Sequence, residues 1–188
     1  MDRIVLASQS PRRKQLLEWA EIDFDILVKE TDESYPPGMN IEEIPVHIAR
    51  NKALAVLNEL SLPRIILAAD TVVVIGTEII NKPVNREDAI SMISRLSGNR
   101  HLVITGVVLL HNGLETHFSD ITEVWFHEIN AEEIAWYVDK YKPYDKAGAY
   151  AIQEWIGVVG IERISGDFYN VMGLPVSRVV RALREISC

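Results

Sequence analysis

Apolar runs of strand length alternate along this chain with stretches of helical period, and several strand runs are joined by tight turns. Ile4-Val5-Leu6-Ala7 reads as a short buried strand. Ser8-Gln9-Ser10-Pro11 then turns directly into a helix from Arg12 to about Ala20, with Ser10 as N-cap and Pro11 as first helical residue. Phe24 to Val28 reads as a second strand, followed by an acidic loop from Glu30 to Glu33, the turn Pro36-Pro37-Gly38 and a long helix from about Ile44 to Leu60. Arg64 to Gly76 and Glu78 to Ile80 form a hairpin around Gly76-Thr77, and Arg86 to Ser97 is an amphipathic helix. Two β segments, His101 to His111 and Thr116 to His127, flank the turn Asn112-Gly113, and a helix from Ala131 to Lys140 follows. Beyond the Gly-rich aromatic loop YDKAGAYAIQEW, the segment GVVGIERI reads as short β runs and Ser165-Gly166-Asp167 as a turn. Gly173-Leu174-Pro175 then leads into a final helix to about Ile186. Interleaved strands and helices call for crossovers, whereas hairpins give antiparallel pairs. The expected fold is therefore α/β, with a mixed sheet flanked by helices.

A chain of 188 residues fits one domain, or one domain with two lobes around a cleft, and is long enough to bury a core. With 48% hydrophobic and 24% charged residues, disordered and fibrous classes are excluded. Nineteen basic against 27 acidic side chains give a net charge of −8, which disfavours nucleic-acid binding over a broad surface. A small anionic substrate is still compatible, because a concave site needs only a few converging Arg and Lys side chains. The single cysteine is Cys188, the last residue, so neither an intrachain disulfide nor a cysteine metal site can form. Charged Asp2 and Arg3 and the short run Ile4 to Ala7 match neither a secretory leader nor a membrane span, and a cytoplasmic chain with no membrane partner is expected.

Ser8-Gln9-Ser10-Pro11-Arg12-Arg13 brings together free backbone N–H groups, the positive end of a helix dipole, two hydroxyls and two guanidinium groups. That arrangement binds anions, although a capped helix with solvated arginines has the same sequence. Asp70 interrupts the apolar run IILAADTVVVIG. A carboxylate buried there costs several kcal/mol unless it is paired, hydrogen-bonded or metal-bound, so a functional site accounts for it; an exposed strand edge or a structural Arg are the alternatives. Glu33 in TDES is the natural second carboxylate for a hard divalent cation, and solvation in its loop is the other reading. Lys52 in ARNKA and Lys82 in NKP gain meaning only in combination with these residues. Asp145, Lys146, Gly148 and Gln153 share a loop whose glycine permits close backbone approach to a ligand, as a tight structural turn also would. The five histidines show no metal-ligand spacing.

Taken in order, LASQSPRRKQLL, ARNKA, AADTVVV, NKP, RLSGNRHLVITGV, YDKAGAYAIQ and GDFYNVMGLP resemble the Maf family along essentially the whole chain. The resemblance implies a single catalytic domain similar in fold to the inosine triphosphate pyrophosphatases, with two lobes around a deep cleft that holds a nucleotide. By motif position, Ser8, Arg13, Lys52 and Lys82 would hold the triphosphate, joined by Arg12. Asp70 would accept a proton, and Glu33 with Asp70 would bind Mg²⁺ or Mn²⁺. Arg12, Thr71 and Gln153 fall where the family sets base preference. Pairing of ADT with AIQ resembles the branch that hydrolyses dTTP and UTP to the monophosphate and pyrophosphate, whereas the branch acting on 7-methyl-GTP carries ADQ and a Ser-Glu-Gly segment. Two positions depart from the pattern. Asn81 replaces a Gly before the Lys-Pro pair, and Glu154-Trp155 replaces a Gly-initiated stretch after Gln153. Hydrolysis of a modified purine nucleotide is the rival within enzymes, and a non-catalytic regulator of cell division is the rival from another class. The expected partner is a small-molecule nucleotide, and the oligomeric state is open, a homodimer included.

Overall fold

The computed structural model describes residues 3–60 and 63–186; Asp2 and Cys188 lie outside the described residues. Among those described, seven strands form one mixed sheet. They are β1 (Ile4–Leu6), β2 (Phe24–Ile26), β3 (Ile66–Ile75), β4 (Glu78–Ile80), β5 (Arg100–His111), β6 (Leu114–Phe126) and β7 (Ile161–Ser165). The order is β2-β1-β3-β5-β6-β7, with β4 attached to β3. β1 pairs in parallel with β2 and β3, whereas β4 with β3 and β7 with β6 are antiparallel, so the sheet is mixed as expected. Asn112 and Gly113, between β5 and β6, have φ of 51° and 78°, the left-handed pair that a two-residue hairpin turn requires. No helix among the described residues is long and apolar enough to cross a membrane.

The chain divides into two compact units. The first comprises Met1–Asp70, Thr105–Asp120 and Gly173–Cys188, and carries helices α1 (Pro11–Trp19), α2 (Ile44–Leu57) and α7 (Val176–Ile186). Val46, Ala49, Ala53 and Val56 fall on one face of α2 at helical spacing and are buried against Val5, Ile66, Ala68 and Val108 of the strands. α2 begins directly on β5: a Cβ at Gly106 would lie 2.2 Å from the Val46 nitrogen, so only glycine allows this approach. α2 ends at Leu57, one turn short of the expected Leu60.

The second unit, Thr71–Ile104 with Ile121–Met172, packs α3 (Arg86–Leu96) and α4 (Ala131–Tyr141) through Ala89, Ile93, Leu96, Ile134, Tyr137 and Val138 onto Val73, Val103, Val124 and Phe126. Here one expectation fails. GVVG is not a strand: Trp155–Gly160 forms a helix, α5, and only Ile161–Ser165 is extended, as β7. Ile156 and Gly160, four residues apart, are the buried positions, while Val158 and Val159 are exposed. The β-branched residues pointed to a strand, but their burial has helical spacing, and tertiary contacts overrode propensity. Sequence reasoning also missed the short helix α6 (Phe168–Met172), whose first amides are held by the Asp167 carboxylate at 2.7 Å from Tyr169 N and 3.4 Å from Asn170 N.

His101, at the start of β5, is 1% exposed, lies edge-on to Phe126 and Tyr150, and has Nε2 at 2.7 Å from the Tyr150 hydroxyl. Its Nδ1 finds no protein partner among the described residues, and burial pushes the imidazole down to about 3. Below the ordinary value of 6.5 the unfolded chain takes up a proton that the folded chain refuses. Stability from this residue is thus full above that value and is lost as the pH falls toward the folded value. Denaturation of the wild type between pH 7 and 5 is expected to lose more stability than His101→Gln, with a difference approaching about 1.4 kcal/mol per pH unit below pH ~6. Parallel pH profiles for the two proteins would remove His101 as the source.

Candidate active site

The turn from Ser8 to Arg13 lies in the first unit, with the helix start where its sequence implies. Ser10 caps α1 by accepting from the Arg13 backbone N–H at 3.5 Å, and Pro11 opens the helix. Arg13 is not a solvated helix residue. It is 8% exposed, donating from Nε to the Gly173 carbonyl at 2.8 Å and from a terminal nitrogen to the Ser8 hydroxyl at 3.1 Å. Ser8, also buried, accepts a second bond from the Ser10 N–H at 3.2 Å, so its own proton is left to donate. Burial lowers the Arg13 guanidinium from its ordinary value; Asp70 and Glu33 oppose this, and Arg12 adds to it. These four charged groups therefore share one electrostatic environment. Arg12 is half-buried on the first turn of α1.

Asp70 and Thr71 are the two half-buried positions within the otherwise buried middle of β3. They lie between Leu67, where the pairing with β1 ends, and Val73, where the pairing with β4 begins. Asp70 does not lie at an exposed strand edge: its side chain is only 14% exposed, and its partner is Lys52, whose ammonium donates to Oδ1 at 2.7 Å. The same ammonium lies 2.7 Å from Glu33 Oε1. Lys52 reaches both from α2, whose buried face fixes the helix, while Glu33 comes from the loop after β2 and is half-exposed.

The two carboxylates thus face one positive centre, which is the chemistry a hard divalent cation asks of its protein ligands. Among the described residues no group of three or more His, Cys, Asp or Glu is arranged to hold a metal.

Lys82 and Gln153 belong to the second unit and are both exposed. Lys82 follows β4 in a loop whose Asn81 carbonyl accepts from Gly148 N at 3.1 Å, so the NKP and YDKAGA segments meet. Gly148 has φ of 69°, and a Cβ there would stand 3.1 Å from the Val73 methyls. Lys146 is buried, with its ammonium 2.8 Å from Asp145 Oδ1 and 3.4 Å from Glu154 Oε1. Glu154 also accepts a hydrogen bond from the Tyr137 hydroxyl. Sequence reasoning treated Tyr137 only as part of the helix from Ala131 to Lys140, and nothing in its spacing distinguishes it from a core aromatic.

The profile of the family described as Maf-like protein matches residues 3–186. A dTTP/UTP pyrophosphatase from Cytophaga hutchinsonii is 49% identical over 183 residues, covering 97% of this chain and 84% of its own length. One from Parabacteroides distasonis is 47% identical, covering 97% of this chain and 95% of its own. The solved structure of a HAM1 protein from Coxiella burnetii aligns with a TM-score of 0.51 at 15% identity, covering 98% of this chain and all of that one, a likeness of fold alone. With a profile match across nearly its full length and relatives close to half identical, this chain belongs to the Maf family.

Proposed function

We propose that this chain is a cytoplasmic nucleoside triphosphate pyrophosphatase, a single catalytic domain that hydrolyses dTTP and UTP to the monophosphate and pyrophosphate. Relatives of that name at 49% and 47% identity support the substrate assignment. The observation that carries the chemistry is the Lys52 ammonium held 2.7 Å from both Glu33 and Asp70, in the same electrostatic environment as the buried Arg13. An acid pair for a cation and a fixed guanidinium for an anion are the two components that triphosphate cleavage requires.

In this reading Glu33 and Asp70 would hold Mg²⁺ or Mn²⁺. When bound, the ion supplies charge neutralisation at the phosphate oxygens. Asp70 accepts the proton of a water attacking the α-phosphorus, and Glu33 can exchange roles with it, since one carboxylate serving as ligand and base is awkward. Ser8 and Arg13 position phosphate oxygens, Arg13 through a guanidinium that Gly173 and Ser8 have already oriented. Lys52 and Lys82, with Arg12, offset the charge that develops on the leaving pyrophosphate. Thr71 and Gln153, with Arg12, set the base preference.

The test is turnover of UTP with Mg²⁺ and Mn²⁺ against a chelator control, run in ¹⁸O-labelled water. One pyrophosphate per UTP, metal-dependent, with the label in UMP is expected. Release of orthophosphate and UDP, or label in pyrophosphate, would place attack at another phosphorus. Turnover of 7-methyl-GTP in preference to UTP would assign the chain to the purine branch.

A further inference from the structure

We propose that Tyr137 and Glu154 are positioning residues that fix the turn carrying Gln153, and thereby give the site its preference for uracil and thymine over cytosine. The inference rests on the reading of Gln153 as the base-contacting residue. A glutamine amide rotates freely and suits either pyrimidine edge unless its approach is fixed. Gln153 is exposed, so fixation has to come through its backbone and neighbours.

Those neighbours are held on both sides. Before Gln153, the Ile152 carbonyl is covered by the first turn of α5 so closely that a Cβ at Gly157 would lie 1.8 Å from it. After it, Glu154 N donates to the Ala151 carbonyl at 3.1 Å, closing a turn around Ile152 and Gln153. The Glu154 side chain is engaged at both oxygens: Oε2 accepts from the Tyr137 hydroxyl, and Oε1 faces the Lys146 ammonium at 3.4 Å. Tyr137 is fully buried in α4 and stacks on Tyr141, with centroids 4.9 Å apart and planes 26° from parallel. Its ring also runs at 26° to that of Trp155, 6.5 Å away. Burial, then the Glu154 carboxylate, holds the Tyr137 hydroxyl protonated above its ordinary value, so it acts as a donor.

One hydroxyl therefore ties α4 to Glu154, the residue that closes the turn around Gln153. In the pattern this chain resembles, a Gly-initiated stretch follows the glutamine. Here the same two positions supply a carboxylate and an indole, and both are engaged with α4. The departure is thus a built device and not an open loop.

The experiment measures kcat and KM for UTP and CTP, with Tm alongside, for wild type, Gln153→Ala, Tyr137→Phe, Glu154→Ala and Glu154→Gln. Tyr137→Phe keeps the stacked ring and deletes only the hydroxyl. Glu154→Ala deletes both ties, whereas Glu154→Gln keeps an acceptor for the hydroxyl. Tyr137→Phe and Glu154→Ala are expected to lower the UTP-to-CTP ratio of kcat/KM by about tenfold, the factor one net hydrogen bond supplies, chiefly through a raised KM for UTP. Glu154→Gln is expected to recover most of the ratio. A fall in Tm with the ratio unchanged in both Tyr137→Phe and Glu154→Ala would make the contact purely structural and overturn the proposal. If Gln153→Ala collapses the ratio while those two variants keep it, positioning fails and the reading of Gln153 stands. If Gln153→Ala itself keeps the ratio, that reading fails and the positioning role falls with it. Glu154 is only half-buried, so its variants carry the test should Tyr137→Phe not fold.

Discussion

Asp70→Asn is expected to lower the turnover of UTP by about 10²- to 10⁴-fold, the range a general base supplies, without unfolding the protein. The substitution is close to isosteric and leaves an oxygen that still accepts from Lys52, whose second carboxylate contact, to Glu33, is untouched. What the amide cannot do is take a proton from water, and it is a poorer oxygen ligand for a hard cation. Both losses act on the reacting centre, so kcat falls. Dichroism and the thermal midpoint serve as controls: Asp70 sits in β3 between the pairings at Leu67 and Val73, and those ladders do not involve its carboxylate. A folded Asp70→Asn protein that retains more than about a tenth of the wild-type rate would remove Asp70 from proton transfer, because general-base catalysis is worth more than that.

Asp70 could be singled out in the sequence because a lone carboxylate in an apolar run conflicts with its surroundings, and such conflicts collect at functional sites. Its partner could not be found in the same way. Lys52 lies in a helical segment of ordinary composition, and only the seating of α2 on Gly106 and β1 brings its ammonium to Asp70. Arg13 shows the same divide. The cap at Ser10 and the proline at the first helical position are local signals and were legible, whereas the Gly173 carbonyl that buries and orients the guanidinium is 160 residues away. The sheet was legible for a similar reason: hairpins around Gly76-Thr77 and Asn112-Gly113 announce themselves through turn residues, and mixed pairing follows from them. The segment GVVG was misread because β-branched residues favour strands when nothing else is known, while Ile156 and Gly160 bury themselves at helical spacing. Lys82, Thr71 and Gln153 acquired roles only from the order of the family motifs, since an exposed lysine or glutamine carries no physical mark of its task.

The other large effect concerns Gln153. Uracil and thymine present a donor at N3 and an acceptor at O4, which match the oxygen and the NH₂ of one glutamine amide; cytosine presents the reverse pattern. With the amide held in one orientation, the wrong base leaves desolvated polar groups unpaired, and a site that hydrogen-bonds its substrate can reject such an analogue by up to ~10⁴-fold. Selection by size alone reaches only ~10- to 200-fold for one methylene, so the magnitude of the preference distinguishes the two mechanisms. Wild-type kcat/KM for dTTP and UTP is expected to exceed that for CTP, ATP and 7-methyl-GTP. Gln153→Ala is expected to lose about 10²-fold on dTTP and UTP, the worth of a pair of hydrogen bonds, and little on CTP, so the ranking collapses from the top. The phosphate residues respond differently, because contacts to the triphosphate do not depend on the base, and Arg13 lies in the unit that does not contain Gln153. An Arg13→Ala control should weaken every nucleotide alike and preserve the order. A wild-type preference for a purine, or an unchanged ranking in Gln153→Ala, would show that the base is read elsewhere and would take the pyrimidine assignment down with it.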